Sequence, residues 1–190
     1  MKATLLDVLC CPGCGGDLTL TVDSRTPVAE PAEIESGTLA CGSCTKAYPI
    51  VRGVPRFVRS DGYVRSFSFQ WTRWNDVQLD RQGDRESEET FSLKSGFSPA
   101  DLSGRRVLDV GCGAGRFLDV ASRWGGEVVG VDYSFAADAC YRSFGHRPGV
   151  NVVQADVFSL PFKRASFDVA YSLGVLHHTR DTRAAFLALP

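Results

Sequence analysis

No long apolar run occurs in this sequence of 190 residues. Its short apolar start, Leu5-Leu6-Asp7-Val8-Leu9, is interrupted by Asp7, so neither a secretory segment nor a membrane span is expected. The chain therefore reads as cytoplasmic, with its thiols held reduced. An excess of charge of one sign is also lacking: 21 Lys and Arg face 22 Asp and Glu, for a net charge of −1. The polyelectrolyte attraction that dominates nucleic-acid affinity is then weak on average, and nucleic acid is not the expected partner. Missing too, from the one dense glycine cluster after a strand-like run, is the Gly-x-Gly-x-x-Gly spacing of a dinucleotide loop.

What stands there instead is Val107-Leu108-Asp109-Val110-Gly111-Cys112-Gly113-Ala114-Gly115-Arg116. An apolar strand runs into glycines at alternate positions and then into a helix, with an acid two residues before the first glycine. Glycine suits a backbone that must turn sharply and let a ligand lie against its amides. A helix opening at Arg116 aims unpaired N–H groups and its positive dipole end at that ligand. Downstream, Glu127-Val128-Val129-Gly130-Val131-Asp132 reads as a second buried strand ending in an acid. It lies about twenty residues beyond the first glycine, where a carboxylate takes the ribose hydroxyls of a nucleoside. Asn151-Val152-Val153-Gln154-Ala155-Asp156 repeats the pattern, and Ser166 to Ser172 leads into a fourth strand followed by Leu173-Gly174-Val175-Leu176-His177-His178. Strands alternating with helices imply an α/β fold, a parallel doubly wound sheet with right-handed crossovers. Taken singly, Asp109 could merely bond nearby loop amides. Cys112 reads as a small packed residue and Cys140 as core, since nothing adjacent would generate a thiolate.

The spelling Asp-x-Gly-x-Gly-x-Gly resembles motif I of the class I S-adenosylmethionine-dependent methyltransferases, and the later strands follow in that family's order. The resemblance implies a Rossmann-like sheet with S-adenosyl-L-methionine as cofactor. It implies that Asp109 helps orient the methionine part and that Gly111, Cys112, Gly113 and Gly115 hold the amino-acid end. Asp132 and the adjoining Tyr133 would serve the ribose, Asp156 the adenine amino group, the Val157 N–H the ring, and Leu173 the wall of the same site.

Seven cysteines are many for this length, and four form two knuckles, Cys11-Pro12-Gly13-Cys14 and Cys41-Gly42-Ser43-Cys44. Two Cys-x-x-Cys turns complete a tetrahedral site of four thiolates, for which Zn2+ is the expected ion. Two disulfides or a redox motif are the alternatives; a reducing compartment disfavours the first, and a redox motif needs one pair only. Leu18 to Val22 alternates like a strand, Gly37 to Ala40 leads into the second knuckle, and the stretch holding Pro27, Glu30, Pro31, Glu33 and Glu35 reads as a solvated loop. From Leu5 through Tyr48-Pro49-Ile50 and Gly53-Val54-Pro55, the segment is similar to the small zinc-ribbon family that includes the activator subunit of eukaryotic tRNA and rRNA methyltransferases. So small a ribbon has little core, and the metal is expected to supply much of its folding energy.

Three regions are expected: a zinc-ribbon β module over 1–59, an aromatic, partly helical connecting segment over 60–100, and the cofactor-binding half of a methyltransferase domain over 101–190. In the connecting segment Phe67, Phe69, Trp71 and Trp74 fit a helix or a strand equally, and act either as packing on the domain edge or as a lid on the acceptor pocket. The segment resembles the region preceding the catalytic domain in bacterial-type methyltransferases that carry the ribbon, whose acceptors are commonly small molecules. That family continues beyond the fourth strand, so a C-terminally truncated sheet with an open edge prone to self-association is expected.

The function these readings favour is methyl transfer to a small-molecule acceptor, with His177 or His178 as the nearest candidate base. Two alternatives stand beside it. One is an rRNA or tRNA base methyltransferase, which a basic stripe through Arg52, Arg56, Arg59 and Arg65 would favour. The other is a non-catalytic fragment that binds cofactor and docks on a partner.

Overall fold

The computed structural model describes residues 1–26, 33–58 and 84–189. An N-terminal 3-10 turn, Ala3–Asp7, precedes four antiparallel strands: β1 (Leu18–Arg25), β2 (Ile34–Cys41), β3 (Ala47–Val51) and β4 (Val54–Pro55), in the order β1-β2-β3-β4. Two helices follow, α1 (Glu86–Ser95) and α2 (Pro99–Leu102). The remainder alternates: β5 (Arg106–Val110), α3 (Arg116–Arg123), β6 (Glu127–Asp132), α4 (Ala136–Phe144), β7 (Val150–Gln154), β8 (Val169–Tyr171) and α5 (Thr182–Leu187). The second sheet is parallel and ordered β7-β6-β5-β8. The chain winds outward from β5 to β7 and then returns to β8 on the far side of β5. That reversal opens a crevice at the carboxyl ends of the central strands.

Successive strand residues point to opposite faces, and the two faces of the parallel sheet meet different partners. Val107, Val128, Val150 and Val152 share a core with Leu118 and Val120 of α3, Ala137 and Cys140 of α4, and Phe91 of α1. The alternate residues Leu108, Val110, Val129, Val131 and Val153 share a core with Leu5, Leu9, Ile34, Leu39 and Ile50 of the N-terminal module. A parallel sheet buries both faces, and here the module with the cysteine knuckles covers one of them. The outer edge of β7 is covered as well. Arg56 bridges Gln154 in parallel, the Phe57 N–H donates to the Gln154 carbonyl at 2.8 Å, and Lys2 Nζ reaches the Val150 carbonyl at 2.8 Å. Among the described residues β8 pairs with β5 alone.

Glu33, expected in a solvated loop, is 8% exposed. It accepts a hydrogen bond from the Tyr141 hydroxyl at 2.6 Å and pairs with Lys2 at 2.9 Å. Those partners lie in α4 and the first residues of the chain, remote in sequence, so no local pattern announced them. Glu35 falls within β2. The aromatic run 66–75 and the basic residues Arg59 and Arg65 lie outside the described residues. At the other end of the connecting segment, Phe91 is fully buried against Phe117, Trp124 and Tyr171, with ring centroids 5.0–5.7 Å apart. Among the described residues no helix is long and apolar enough to cross a membrane.

Because Leu9 and Ile34 are buried in the same core as β5 and β6, Leu9→Ala or Ile34→Ala is expected to lower stability by about 2–5 kcal/mol. Hydrogen exchange in urea is expected to show β2 and β6 amides losing protection together, in one transition.

Candidate cofactor and metal sites

The loop after β5 is fastened to β6 before any ligand arrives. Gly111 N–H and Cys112 N–H both donate to the Val131 carbonyl, at 2.7 and 3.1 Å, and Gly113 N–H donates to Asp132 Oδ2 at 2.9 Å. Gly111, Gly113 and Gly115 adopt φ of +81°, +53° and +100°, a region that side chains disfavour. The three do not serve one purpose. Gly111 and Gly113 line a cavity of about 980 Å³, whereas Gly115 is not part of its wall. A Cβ on Gly115 would meet the Phe144 ring at 2.6 Å and Cys140 Sγ at 2.9 Å, so this glycine lets α3 close onto α4. Cys112 is buried, its thiol directed at the Gly113 carbonyl at 3.7 Å.

Asp132 ends β6 at the cavity wall. Its Oδ1 accepts the Ser134 N–H at 2.8 Å and the Ser134 hydroxyl at 2.7 Å, opposite the Gly113 N–H on Oδ2. Burial pushes its carboxyl above the usual range, against the pull of these donors. Ser134 was missed in the sequence, although Asp-x-Ser is the spacing of a side chain bonding backbone two residues on. Asp156 lines the same cavity, and its Oδ1 accepts the Phe158 N–H at 3.0 Å, which presents Val157 at the wall. Tyr133, Leu173 and His178 also line it; His177, stacked on His178 with centroids 3.9 Å apart, does not.

Asp109, expected to help orient the methionine part, is 3% exposed and lies behind the cavity wall. It sits one residue before the end of β5, where the pleat turns its side chain to the helix-covered face, with Val107 and Tyr171, rather than into the cavity. Its Oδ2 and the neighbouring Tyr171 hydroxyl lack hydrogen-bond partners among the described residues. Burial raises its carboxyl to about 7, the Tyr171 hydroxyl opposing this and the Asp132 charge adding to it.

The four knuckle cysteines converge, every sulfur within 4.8 Å of the others. The Cys11–Cys44 and Cys14–Cys41 sulfurs are 3.7 and 3.5 Å apart. A tetrahedral ion with metal–sulfur bonds of about 2.3 Å places sulfurs about 3.8 Å apart, so the residues fit such an ion. The Tyr48 hydroxyl lies 3.2 Å from Cys11 Sγ, and the Ser43 N–H lies 3.4 Å from Cys41 Sγ. Burial works against a Cys11 thiolate, but the Tyr48 hydroxyl and the Gly13 and Cys14 amides outweigh it and hold this thiol below its usual range.

Residues 108–189 match the methyltransferase domain family, and residues 2–53 match the family of Trm112p-like proteins. The chain joins a Trm112p-like module to a methyltransferase domain. Among curated relatives it is similar to the O-methyltransferase resE of Aspergillus sclerotiorum, 33% identical over 114 residues, covering 54% of this chain and 43% of that protein. It is also similar to a tRNA (carboxymethyluridine(34)-5-O)-methyltransferase of Saccharomyces cerevisiae, 40% identical over 78 residues, covering 40% of this chain and 26% of that protein. The chain thus spans less than half the length of either relative. A putative S-adenosyl-L-methionine-dependent methyltransferase from Methanococcus maripaludis shares the fold, with a TM-score of 0.52 at 14% identity over 69% of this chain and 59% of that one.

The Trm112p-like module is expected to bind one equivalent of metal per chain, and Cys11→Ser to abolish it, as read by elemental analysis of the purified protein. In the methyltransferase domain, folded Asp109 keeps its proton to about pH 7, whereas the unfolded side chain releases it near pH 4. Folded protein then binds more protons between those values, so this residue's contribution makes stability fall as pH rises through that window and level off above it. Asp109→Asn is expected to lose less stability than the parent between pH 5 and 7.5, by about 2–3 kcal/mol, in urea titrations.

Proposed function

We infer that this chain binds S-adenosyl-L-methionine and serves methyl transfer to a small-molecule nucleophile. The observation that carries this reading is a single cavity into which the glycine loop, Asp132, Asp156 and Val157 all open. The backbone of Gly111 to Gly113 lies against the amino-acid end, Asp132 takes the ribose hydroxyls, and Asp156 with the Val157 N–H takes the adenine. When bound, the sulfonium supplies an electrophilic methyl carbon with a leaving group already in place. The protein then has to align the acceptor with the carbon–sulfur bond and exclude water. Leu173 and Val175 line the same cavity as an apolar wall, which suits both tasks. His178, at that wall, is the candidate to receive the acceptor's proton; His177 supports it from outside.

The cysteine cluster holds Zn2+ in this reading, since four thiolates in a tetrahedron are what that ion selects. The ion's part is structural: all four ligands come from the protein, which leaves no open position. An intracellular, cytoplasmic setting accords with reduced thiols. The similarity to a tRNA methyltransferase keeps an RNA base as the second reading of the acceptor. Against it, Arg56 of the candidate basic stripe is buried and paired with Asp138 at 2.6 Å. Cations engaged in that way are poor phosphate contacts.

Isothermal calorimetry with S-adenosylhomocysteine tests the donor assignment. The parent is expected to bind with one site per chain, and Asp132→Ala to weaken binding by about 10- to 100-fold, the worth of one or two charge-assisted hydrogen bonds. Absence of binding by the parent would overturn the reading.

A further inference from the structure

Arg56 directly follows β4, the last strand of the N-terminal module, and lies just beyond the Trm112p-like match; its side chain is 9% exposed and its guanidinium enters the methyltransferase domain. One arm, Nη1, donates to Gln154 Oε1 at 3.0 Å; the other, Nη2, donates to Asp138 Oδ1 at 2.6 Å and to the Val51 carbonyl at 3.3 Å. Gln154 closes β7 and is 4% exposed, so its amide has little access to solvent. A guanidinium has donors only. It must therefore meet the amide through oxygen, which turns the amide nitrogen the other way. That nitrogen donates to the Tyr133 carbonyl at 3.0 Å.

The Tyr133 carbonyl and the Ser134 N–H belong to one planar trans peptide and point in opposite directions. Holding the carbonyl on one side fixes the N–H on the other, where it donates to Asp132 Oδ1 at 2.8 Å. The path from Arg56 to the carboxylate at the cavity is continuous: guanidinium, amide, peptide plane, acid. Asp138, in the first turn of α4, gives the same guanidinium a hold on the helix that starts just beyond that peptide.

We propose that Arg56 is a positioning residue for the adenosyl pocket, acting through Gln154 and the 133–134 peptide on Asp132. The inference rests on the donor reading given above. It goes beyond it by making the nucleoside end of the pocket depend on one side chain of the N-terminal module. Lysine cannot replace the planar fork, because one ammonium cannot serve both acceptors in this geometry.

The test is calorimetric titration of the full, metal-loaded chain with S-adenosylhomocysteine, comparing the parent with Arg56→Met, Gln154→Glu and Arg52→Met. Gln154→Glu guards against a folding defect, because it keeps an oxygen for Arg56 and is nearly isosteric. It replaces the donor to the Tyr133 carbonyl by a carboxylate oxygen that cannot bond it, while the added charge remains paired with Arg56. Arg56→Met and Gln154→Glu are expected to raise the dissociation constant about tenfold, the factor for one lost buried hydrogen bond, with one site per chain retained. Arg52 also reaches Asp138, but its side chain is 71% exposed and it does not touch Gln154; Arg52→Met is expected to stay within about twofold. Gln154→Glu binding as tightly as the parent would overturn the proposal. So would Arg56→Met lowering the number of sites while leaving the dissociation constant unchanged, since that marks support of folding alone. If the parent binds nothing, the donor reading itself fails, and the two failures are told apart by that first titration.

Discussion

A parallel strand has two apolar faces, and both must be kept from water. In this chain Val107, Val128 and Val150 are served by α1, α3 and α4, while their neighbours Leu108, Val129 and Val131 turn the other way. The module that covers this second face has a thin core of its own. Its strands contribute alternate residues, Leu39 from β2 and Ile50 from β3, to a cluster completed by the sheet. Cys11 and Cys41 belong to that same cluster, so the knuckles hold the ribbon together beside the contact. Each module thus lacks something the other supplies: the ribbon lacks apolar mass, and the sheet lacks a cover.

The same contact reaches the chemistry. The first knuckle touches the turn that follows Asp156, through the Ser159 hydroxyl on the Pro12 carbonyl at 3.2 Å. The Cys10 N–H donates to the Pro161 carbonyl at 2.9 Å, and the Lys163 N–H to the Val8 carbonyl at 2.9 Å. The segment between β7 and β8 is therefore pinned to the ribbon from Ser159 to Lys163. Without such ties, the loop from Asp156 to Asp168 would carry a long stretch of backbone with few partners, a poor foundation for one wall of a binding site.

Much of this architecture was legible in the sequence because it is written in local patterns. Apolar runs closed by Asp132 and by Ala155-Asp156 mark strands β6 and β7 at their carboxyl ends, and the pair of Cys-x-x-Cys spacings marks the knuckles. The seating of the ribbon on the sheet was not legible, since it is made of contacts between residues 1–57 and residues more than a hundred positions later. Glu33 illustrates the difference. Its neighbourhood of prolines and acids reads as solvent-facing, while its partners, Lys2 and Tyr141, are brought to it only by the finished fold. The glycine pattern was readable as a turn, but not as two kinds of glycine, because only packing distinguishes one beside the cavity from one beneath Phe144. Asp109 misleads for a related reason: the motif fixes its place on β5, and the strand's pleat fixes where the side chain goes.

The two borders of the parallel sheet differ in kind. Along β7 the outward carbonyls of Val150 and Gln154 already receive Lys2 and Phe57, and a lysine on such a border discourages pairing with a stranger. Beyond β8 the described residues provide no such cover. An additional strand, whatever its origin, finds no address beside Gln154. The N-terminal module acts as a terminator, giving the sheet a finished end from which its strand order is counted.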